Sequence, residues 1–402
     1  MNSTDRAAAQ RTADDGTADE ARIVGRWTEI YDAVYESAEG GSGADFSGWR
    51  SSITGENYTA AETAEWLEGT VAAVLEQRPE AVLELGAGTG LVAEGLLPHV
   101  GRYRGTDISG TAVARMVRDY GHHPGAGFTV AQADDPALPG GFDTVVLNSV
   151  IHHFPTEAYL RRALANAVRC RAPGGTVFLG DVHSLPLRDA LRLSVLAVRV
   201  PGEQPAGELR AQLAAMAAYE RELVIDPAFF PAFAAEHGLV ADLRLKPGRH
   251  GTEMNLFRYD VRLRPADASL VPLRDVRQVA WESRTAERLL AGAAGGPPVR
   301  VTGIRHPGLA APVAALAALR AAAPDEPVDL AALLAAEEPA APGLLPADLS
   351  AAADARGLAC YCVPAASESA DYDAVLAPRT SGGLAVAPET SAGRPLVNVP
   401  TM

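Results

Sequence analysis

The segment Val82-Leu83-Glu84-Leu85-Gly86-Ala87-Gly88-Thr89-Gly90 constrains this chain more than any other. An apolar run of strand length enters three glycines at alternate positions, then continues into a helical pattern from Leu91. A strand, tight turn and helix in this order open a parallel α/β sheet. Glycine is needed where backbone turns sharply and where a ligand approaches closer than a Cβ permits. A dinucleotide turn spaces its glycines G-x-G-x-x-G, and the helix behind it receives a pyrophosphate. Here the third glycine comes one residue earlier, and an acid, Glu84, stands two residues before the first.

An acidic turn suits a cation better than a phosphate. S-adenosylmethionine carries a sulfonium and an amino-acid end and has no phosphate, so it is the expected cofactor. The next strand ends in Thr106-Asp107-Ile108-Ser109, with Asp107 placed to accept hydrogen bonds from two ribose hydroxyls, as the equivalent acid does in nucleotide folds. The third strand ends in Ala133-Asp134-Asp135, where a carboxylate could accept from an adenine amino group, and the fourth ends at Asn148. The expected cofactor set is Glu84, Gly86, Ala87, Gly88, Gly90, Asp107, Ile108, Asp134, Asp135 and Asn148. Taken singly, the glycines could be a packing turn and the acids solvated caps. Their succession at consecutive strand ends favours the cofactor.

Strands are expected at 82–86, 103–107, 128–132, 143–147 and 176–181, then at 239–245 and 257–263. Several are continuous apolar runs, as in sheets covered on both faces. Residues 185–238 read as a helical insertion broken by Pro201 and Pro205. The expected architecture is α/β: a Rossmann-like, doubly wound, mostly parallel sheet at 22–265, followed by a small α/β segment at 266–402. Within that segment 299–304, 358–363 and 372–376 read as strands and 311–323 and 346–356 as helices. Residues 1–21 are polar and read as a disordered tail without the apolar core of a signal peptide.

A net charge of −15 argues against a nucleic-acid binder. No apolar stretch reaches the length of a membrane span. Three cysteines, Cys170, Cys360 and Cys362, suggest a reducing cytoplasm and no metal site.

Beyond the glycine turn, the chain resembles the methyltransferase domains of nonribosomal peptide synthetases from about residue 29 to 399. The resemblance rests on Glu29-Ile30-Tyr31-Asp32, Gly48-Trp49-Arg50-Ser51-Ser52, the glycine turn, the segments 142–155 and 180–190, and Glu253 to Val261. It implies a class I methyltransferase fold and S-adenosylmethionine as methyl donor, here in a free-standing chain. Two motifs depart from the family: His152-His153-Phe154-Pro155 stands where Gln-Tyr-Phe-Pro is usual, and Thr252-Glu253 where Asn-Glu is usual.

Methyl transfer from a sulfonium needs an aligned, unprotonated acceptor. His152 and His153 follow the fourth strand and are the expected catalytic residues, histidine being poised to take a proton near neutral pH. Adjacent residues on a turn point different ways, so one is expected in the site and one elsewhere. Asp181, His183 and Glu253 are expected to line the acceptor pocket and the insertion to cover it, although each of Phe229, Phe230 and Phe233 taken singly reads more readily as the core face of an amphipathic helix. The expected function is methylation of an amino-acid or peptidyl unit, carried on a peptidyl carrier protein, with no nucleic acid or membrane involved. A released small metabolite is the alternative acceptor, and a non-catalytic assembly-line partner the alternative of another class. Arg161, Arg162, Arg169, Arg171, Arg188 and Arg192 could form a patch for an acidic carrier.

Overall fold

The structure is a computed structural model of the 402-residue chain. It describes residues 20, 22–36, 46, 49–266, 273–281, 286–293, 295–336, 343–365, 367–379 and 396–401. The tail expected at 1–21 lies almost wholly outside them.

Helices α1 (22–36) and α2 (Ala60–Leu75) precede the sheet. There follow β1 (Ala81–Leu85), α3 (Leu91–Leu96), β2 (Arg102–Asp107), α4 (Gly110–Tyr120), β3 (Ala126–Val130), β4 (Phe142–Asn148), α5 (Glu157–Cys170) and β5 (Arg171–His183). Helix starts follow capping chemistry. Thr59 and Glu62 close a reciprocal capping box on α2, Ser109 Oγ accepts from the Ala112 N–H, and Thr156 Oγ1 accepts from that of Tyr159.

The chain continues through α6 (Arg188–Arg199), β6 (Glu203–Pro205), α7 (Ala206–Ala218), α8 (Phe229–Glu236), β7 (Leu239–Leu245), α9 (Glu253–Leu256) and β8 (Arg258–Pro265). The main sheet has the order β3-β2-β1-β4-β5-β8-β7; β1 to β5 run parallel, and β8 lies antiparallel between β5 and β7. Strand β1 shows why both faces are apolar. Leu83 and Leu85 pack toward Leu160 and Phe230, while Val82 packs toward Val74, Leu96 and Met116 on the other side. Strand order reverses between β1 and β4, and ligands of doubly wound sheets bind in the crevice at that switch.

The rest comprises β9 (Arg277–Ala280), α10 (Ala286–Ala293), β10 (Val299–Arg305), α11 (Pro307–Ala321), β11 (Pro327–Asp329), α12 (Leu330–Ala335), α13 (Pro346–Asp354), β12 (Leu358–Val363) and β13 (Asp371–Pro378). A second sheet has the order β12-β13-β10-β9. The insertion is not purely helical: β6 ends at Pro205 and pairs antiparallel with β11. Leu191, Leu193 and Leu196 of α6 share a core with Leu316 and Leu319 of α11, so the boundary expected at 265 runs across one apolar cluster. The chain also returns to the first sheet. Val397 bridges Ile225, and Asn398 Oδ1 accepts from the Val224 N–H at 2.8 Å. Among the described residues no helix is long and apolar enough to cross a membrane.

Candidate active site

A cavity of about 450 Å³ opens at the switch point. Glu84, Gly86, Ala87 and Gly88 line it from the end of β1, Asp107 and Ile108 from β2, Ala131 and Ala133 from the chain after β3, and Asn148 from β4. The turn backbone explains the glycines. Gly86, Gly88 and Gly90 have φ of +76°, +54° and +90°, in the left-handed region. A Cβ on Gly86 would lie 2.4 Å from Val150 Cγ2, and one on Gly88 3.1 Å from Tyr35 Oη. The Gly86 and Ala87 N–H groups both donate to the Thr106 carbonyl at 2.8 Å, tying the turn to β2.

Asp107 is buried, and each carboxylate oxygen accepts one backbone N–H, Gly88 at 2.8 Å and Ser109 at 2.9 Å. Each oxygen keeps acceptor capacity for a hydroxyl. Burial pushes the Asp107 carboxyl up, against the hydrogen bonds from Ser109 and Gly88. Burial also pushes Glu84 up to about 8, opposed by the Tyr103 hydroxyl that donates to it and reinforced by Asp107. Asn148 Oδ1 is buried without a partner. Open left-handed backbone, two desolvated carboxyls and an orphaned amide oxygen fit a ligand with hydroxyls, an amino group and a sulfonium charge. S-adenosylmethionine has that donor set.

Three expected cofactor residues do not line the cavity. Gly90 instead lets α3 start under the Tyr120 ring, where a Cβ would come within 2.7 Å. Asp134 turns away to Arg162 at 3.2 Å, and Asp135 accepts from the Ala137 N–H at 2.8 Å within its own turn. The wall there is alanine, not carboxylate.

The other half of the cavity is made of rings. Trp27, Tyr31 and Tyr35 reach it from α1, and Trp49 and Tyr58 from the chain ahead of α2. His152 and His153 sit on one 3-10 turn and both line the cavity, so the expectation that they part is corrected. Their ring centroids are 3.9 Å apart, and His183 stacks beyond His152 at 4.4 Å and 8°. Tyr31 Oη lies 2.5 Å from His153 Nε2, and Nδ1 of both His152 and His153 is buried without a partner. Burial holds His153 down at about 4, with Glu222 opposing and His183 and Arg258 reinforcing. Burial and its two imidazole neighbours hold His152 well below the ordinary histidine range. Both rings are neutral at pH 7.

Asp181, His183 and Glu253 stand behind this wall instead of in it. Asp181 is buried among Arg258 (2.5 Å), Lys246 (3.4 Å) and the Ser149 hydroxyl (3.1 Å). Burial would raise its carboxyl, but the two cations outweigh that and hold it well below the usual range. Among the described residues, Ser149 and Asp181, at φ of +52° and +66°, are two of three non-glycine residues with left-handed backbone, and they hydrogen-bond each other. Such strain concentrates at functional sites. Glu253 accepts from the backbone and side chain of Ser52, both at 2.8 Å. Arg258, held by Asp181 and Glu253, does reach the cavity. Sequence reasoning gave no site role to Arg258, Tyr31 or Trp49, although each falls inside a motif quoted for the family resemblance. Phe229, Phe230 and Phe233 pack into the core beside Tyr259 and do not cover the cavity.

Fold and cradle together define a class I S-adenosylmethionine-dependent methyltransferase. A protein-family model described as a methyltransferase domain matches residues 83–177. Chondramide synthase CmdD of Chondromyces crocatus is 38% identical over 249 residues, 60% of this chain and 6% of that protein. CymA of Salinispora arenicola, described as a probable non-canonical nonribosomal peptide synthetase, is 36% identical over 300 residues, 73% of this chain and 4% of that one. The chain thus spans a small fraction of these relatives. Among solved structures, the DhpI–SAH complex covers 61% of this chain and 97% of its own at 17% identity and a TM-score of 0.40, too loose to bear on function. The chain is an S-adenosylmethionine-dependent methyltransferase that resembles the methyltransferase domains of nonribosomal peptide synthetases.

Proposed function

We propose that the chain methylates the amine nitrogen of an aminoacyl or peptidyl unit held as a carrier thioester, in nonribosomal peptide assembly. The observation that carries this reading is the pair of neutral, buried imidazoles facing the cofactor cradle across one cavity. When bound, the cofactor supplies a methyl group on an excellent leaving group. The glycine turn and Asp107 hold the donor end, and the aromatic half excludes water.

A base near 4 is poorly matched to a hydroxyl, because general bases work best when their pKa lies near the operating pH. An α-amine beside a thioester loses its proton near neutrality by itself and needs only to be aligned. The hydrogen bond between Tyr31 Oη and His153 Nε2 fixes the neutral ring in the wall of the acceptor half, where it positions the acceptor nitrogen without acting as a base. The relatives named as synthetases support the assembly-line setting.

The test is mass spectrometry of the product from an aminoacyl carrier, the free amino acid and the matching hydroxyacyl carrier. A mass increase of one methyl on the aminoacyl carrier alone is expected. Methylation of only the hydroxyacyl carrier would overturn the acceptor atom. Methylation of only the free amino acid would replace the carrier by a released metabolite.

A further inference from the structure

The carrier reading leaves the path of the tethered substrate open, and one face of α6 supplies it. Arg188, Leu191, Arg192, Val195 and Arg199 recur at helical spacing and line a groove of about 470 Å³ between α6 and the end of α7, where Met216 and Tyr219 close the far side. The groove meets a chamber of about 20 Å³ through shared walls at Ser52, Arg188 and Leu191. The chamber in turn shares Arg258 with the cofactor cavity, and its His183 stacks on His152 of that cavity. Groove, chamber and cavity thus adjoin in that order, with the His183–His152 stack and the paired Arg258 standing between the last two.

Charge along the groove is uneven. Arg188 pairs with Glu220 at 2.6 Å and Glu222 at 2.8 Å, and Arg192 with Asp189 at 2.7 Å and Glu220 at 2.9 Å. The charges of its inner part are thus all paired, over an aliphatic floor. Arg199, at the outer end, is exposed and has no partner among the described residues. The other arginines of the expected patch lie elsewhere: Arg161 pairs with Glu157 and Glu236 and Arg162 with Glu20 and Asp134, while Arg169 bonds Asn166 and the Leu138 carbonyl and Arg171 the Ala172 carbonyl. From Arg188 to Arg199 the helix advances about 16 Å.

We propose that this groove binds the phosphopantetheine arm of a carrier, with the phosphate at Arg199, the amide chain on Leu191 and Val195, and the thioester end directed past Ser52 toward His153. The inference rests on the carrier reading. A partly aliphatic trough whose inner charges are paired, with the exposed Arg199 at its mouth, complements a flexible chain with one anionic end. Ser52, bonded twice to Glu253, and Arg258, paired with Asp181 and Glu253, stand between groove and cavity, so the arm enters only when both exchange these partners.

The test uses the full chain with S-adenosylhomocysteine bound and two probes, S-acetyl-4′-phosphopantetheine and S-acetylpantetheine. The phosphorylated probe should bind about fivefold tighter, the scale of an exposed ion pair, and the advantage should fade in high salt. Arg199→Glu should abolish that advantage without changing cofactor affinity. Ala215→Trp, at an exposed wall position, should weaken both probes. With a loaded carrier, both variants should raise KM at unchanged kcat and leave a short free thioester unaffected. Equal affinity for the two probes, or carrier kinetics untouched by both variants, would overturn the groove and leave the carrier reading standing. Probe binding that behaves as described, with no methylation of any loaded carrier, would support the groove and sink the carrier reading.

Discussion

The two halves of the cavity are built by different means. The cofactor half is built from strand ends and one tight backbone turn: Glu84 and the turn Gly86 to Thr89 after β1, Asp107 and Ile108 from β2, and Asn148 from β4. The acceptor half is side chains gathered from α1, the chain before α2, the turn after β4 and the start of β8. Backbone geometry fails when any side chain is added, whereas a wall of rings tolerates exchange and sets which acceptor fits. One half is thus suited to a fixed ligand and the other to a variable one.

The largest effect is expected where backbone is the ligand site. Gly86→Ala places a Cβ against Val150 at a φ of +76°, for about 2–4 kcal/mol of left-handed strain and overpacking together. Calorimetric titration should show cofactor affinity lowered by about thirtyfold or more. An unchanged affinity would mean that the turn does not touch the cofactor.

The same contrast governs what could be read from the sequence. Glu84, Gly86 and Asp107 were legible because strand, turn and acid are local and their spacing has a chemical reason. Strand β4 was legible as an apolar run, but the direction of Asp134 was not, since it depends on Arg162 from α5. Tyr31 could not be placed over His153 either: 122 residues separate them, and nothing local in α1 shows which of its faces meets the sheet. The short strands β6 and β11 escaped because each has three residues and they pair across the chain.

A second variant moves the other half alone. His153→Ala should lower kcat about tenfold while cofactor affinity stays within about twofold, and raising the pH should recover part of the loss as the amine deprotonates unaided. Tyr31→Phe removes one hydrogen bond to the same ring and should cost less, about two- to tenfold. A pH-insensitive loss of about 10²–10⁴ in His153→Ala would assign a base and move the acceptor to a hydroxyl.

Cofactor binding itself should depend on pH through Glu84. In the free protein that carboxyl is held up to about 8 by burial, so it is protonated at pH 7. A cationic ligand favours the carboxylate, so binding releases a proton. Affinity should rise about fivefold from pH 7 to pH 8 and then level off. The linked stability has the opposite sign: the ligand-free fold is most favoured below the unfolded-state value and loses that advantage as pH rises through about 8. Glu84→Gln should flatten both profiles, and a wild-type affinity already flat with pH would show that no charge faces this carboxyl.

The smallest effect is expected at Asp134 and Asp135, acids that sit at a strand end much as Asp107 does but point elsewhere. Asp134 holds Arg162, whose side chain is 46% exposed and also pairs with Glu20. Such a pair contributes about 0–1 kcal/mol. Asp135 caps its own turn through the Ala137 N–H, and Asn keeps that acceptor. Asp134→Ala and Asp135→Asn should therefore change cofactor affinity less than about twofold, and melting temperature only slightly. The cavity wall between them and the ligand is Ala131 and Ala133, which offers shape but no side-chain acceptor. A loss of tenfold or more in Asp134→Ala would mean that its carboxylate leaves Arg162 for the cofactor on binding, and the cofactor half would then depend on distant side chains as the acceptor half does.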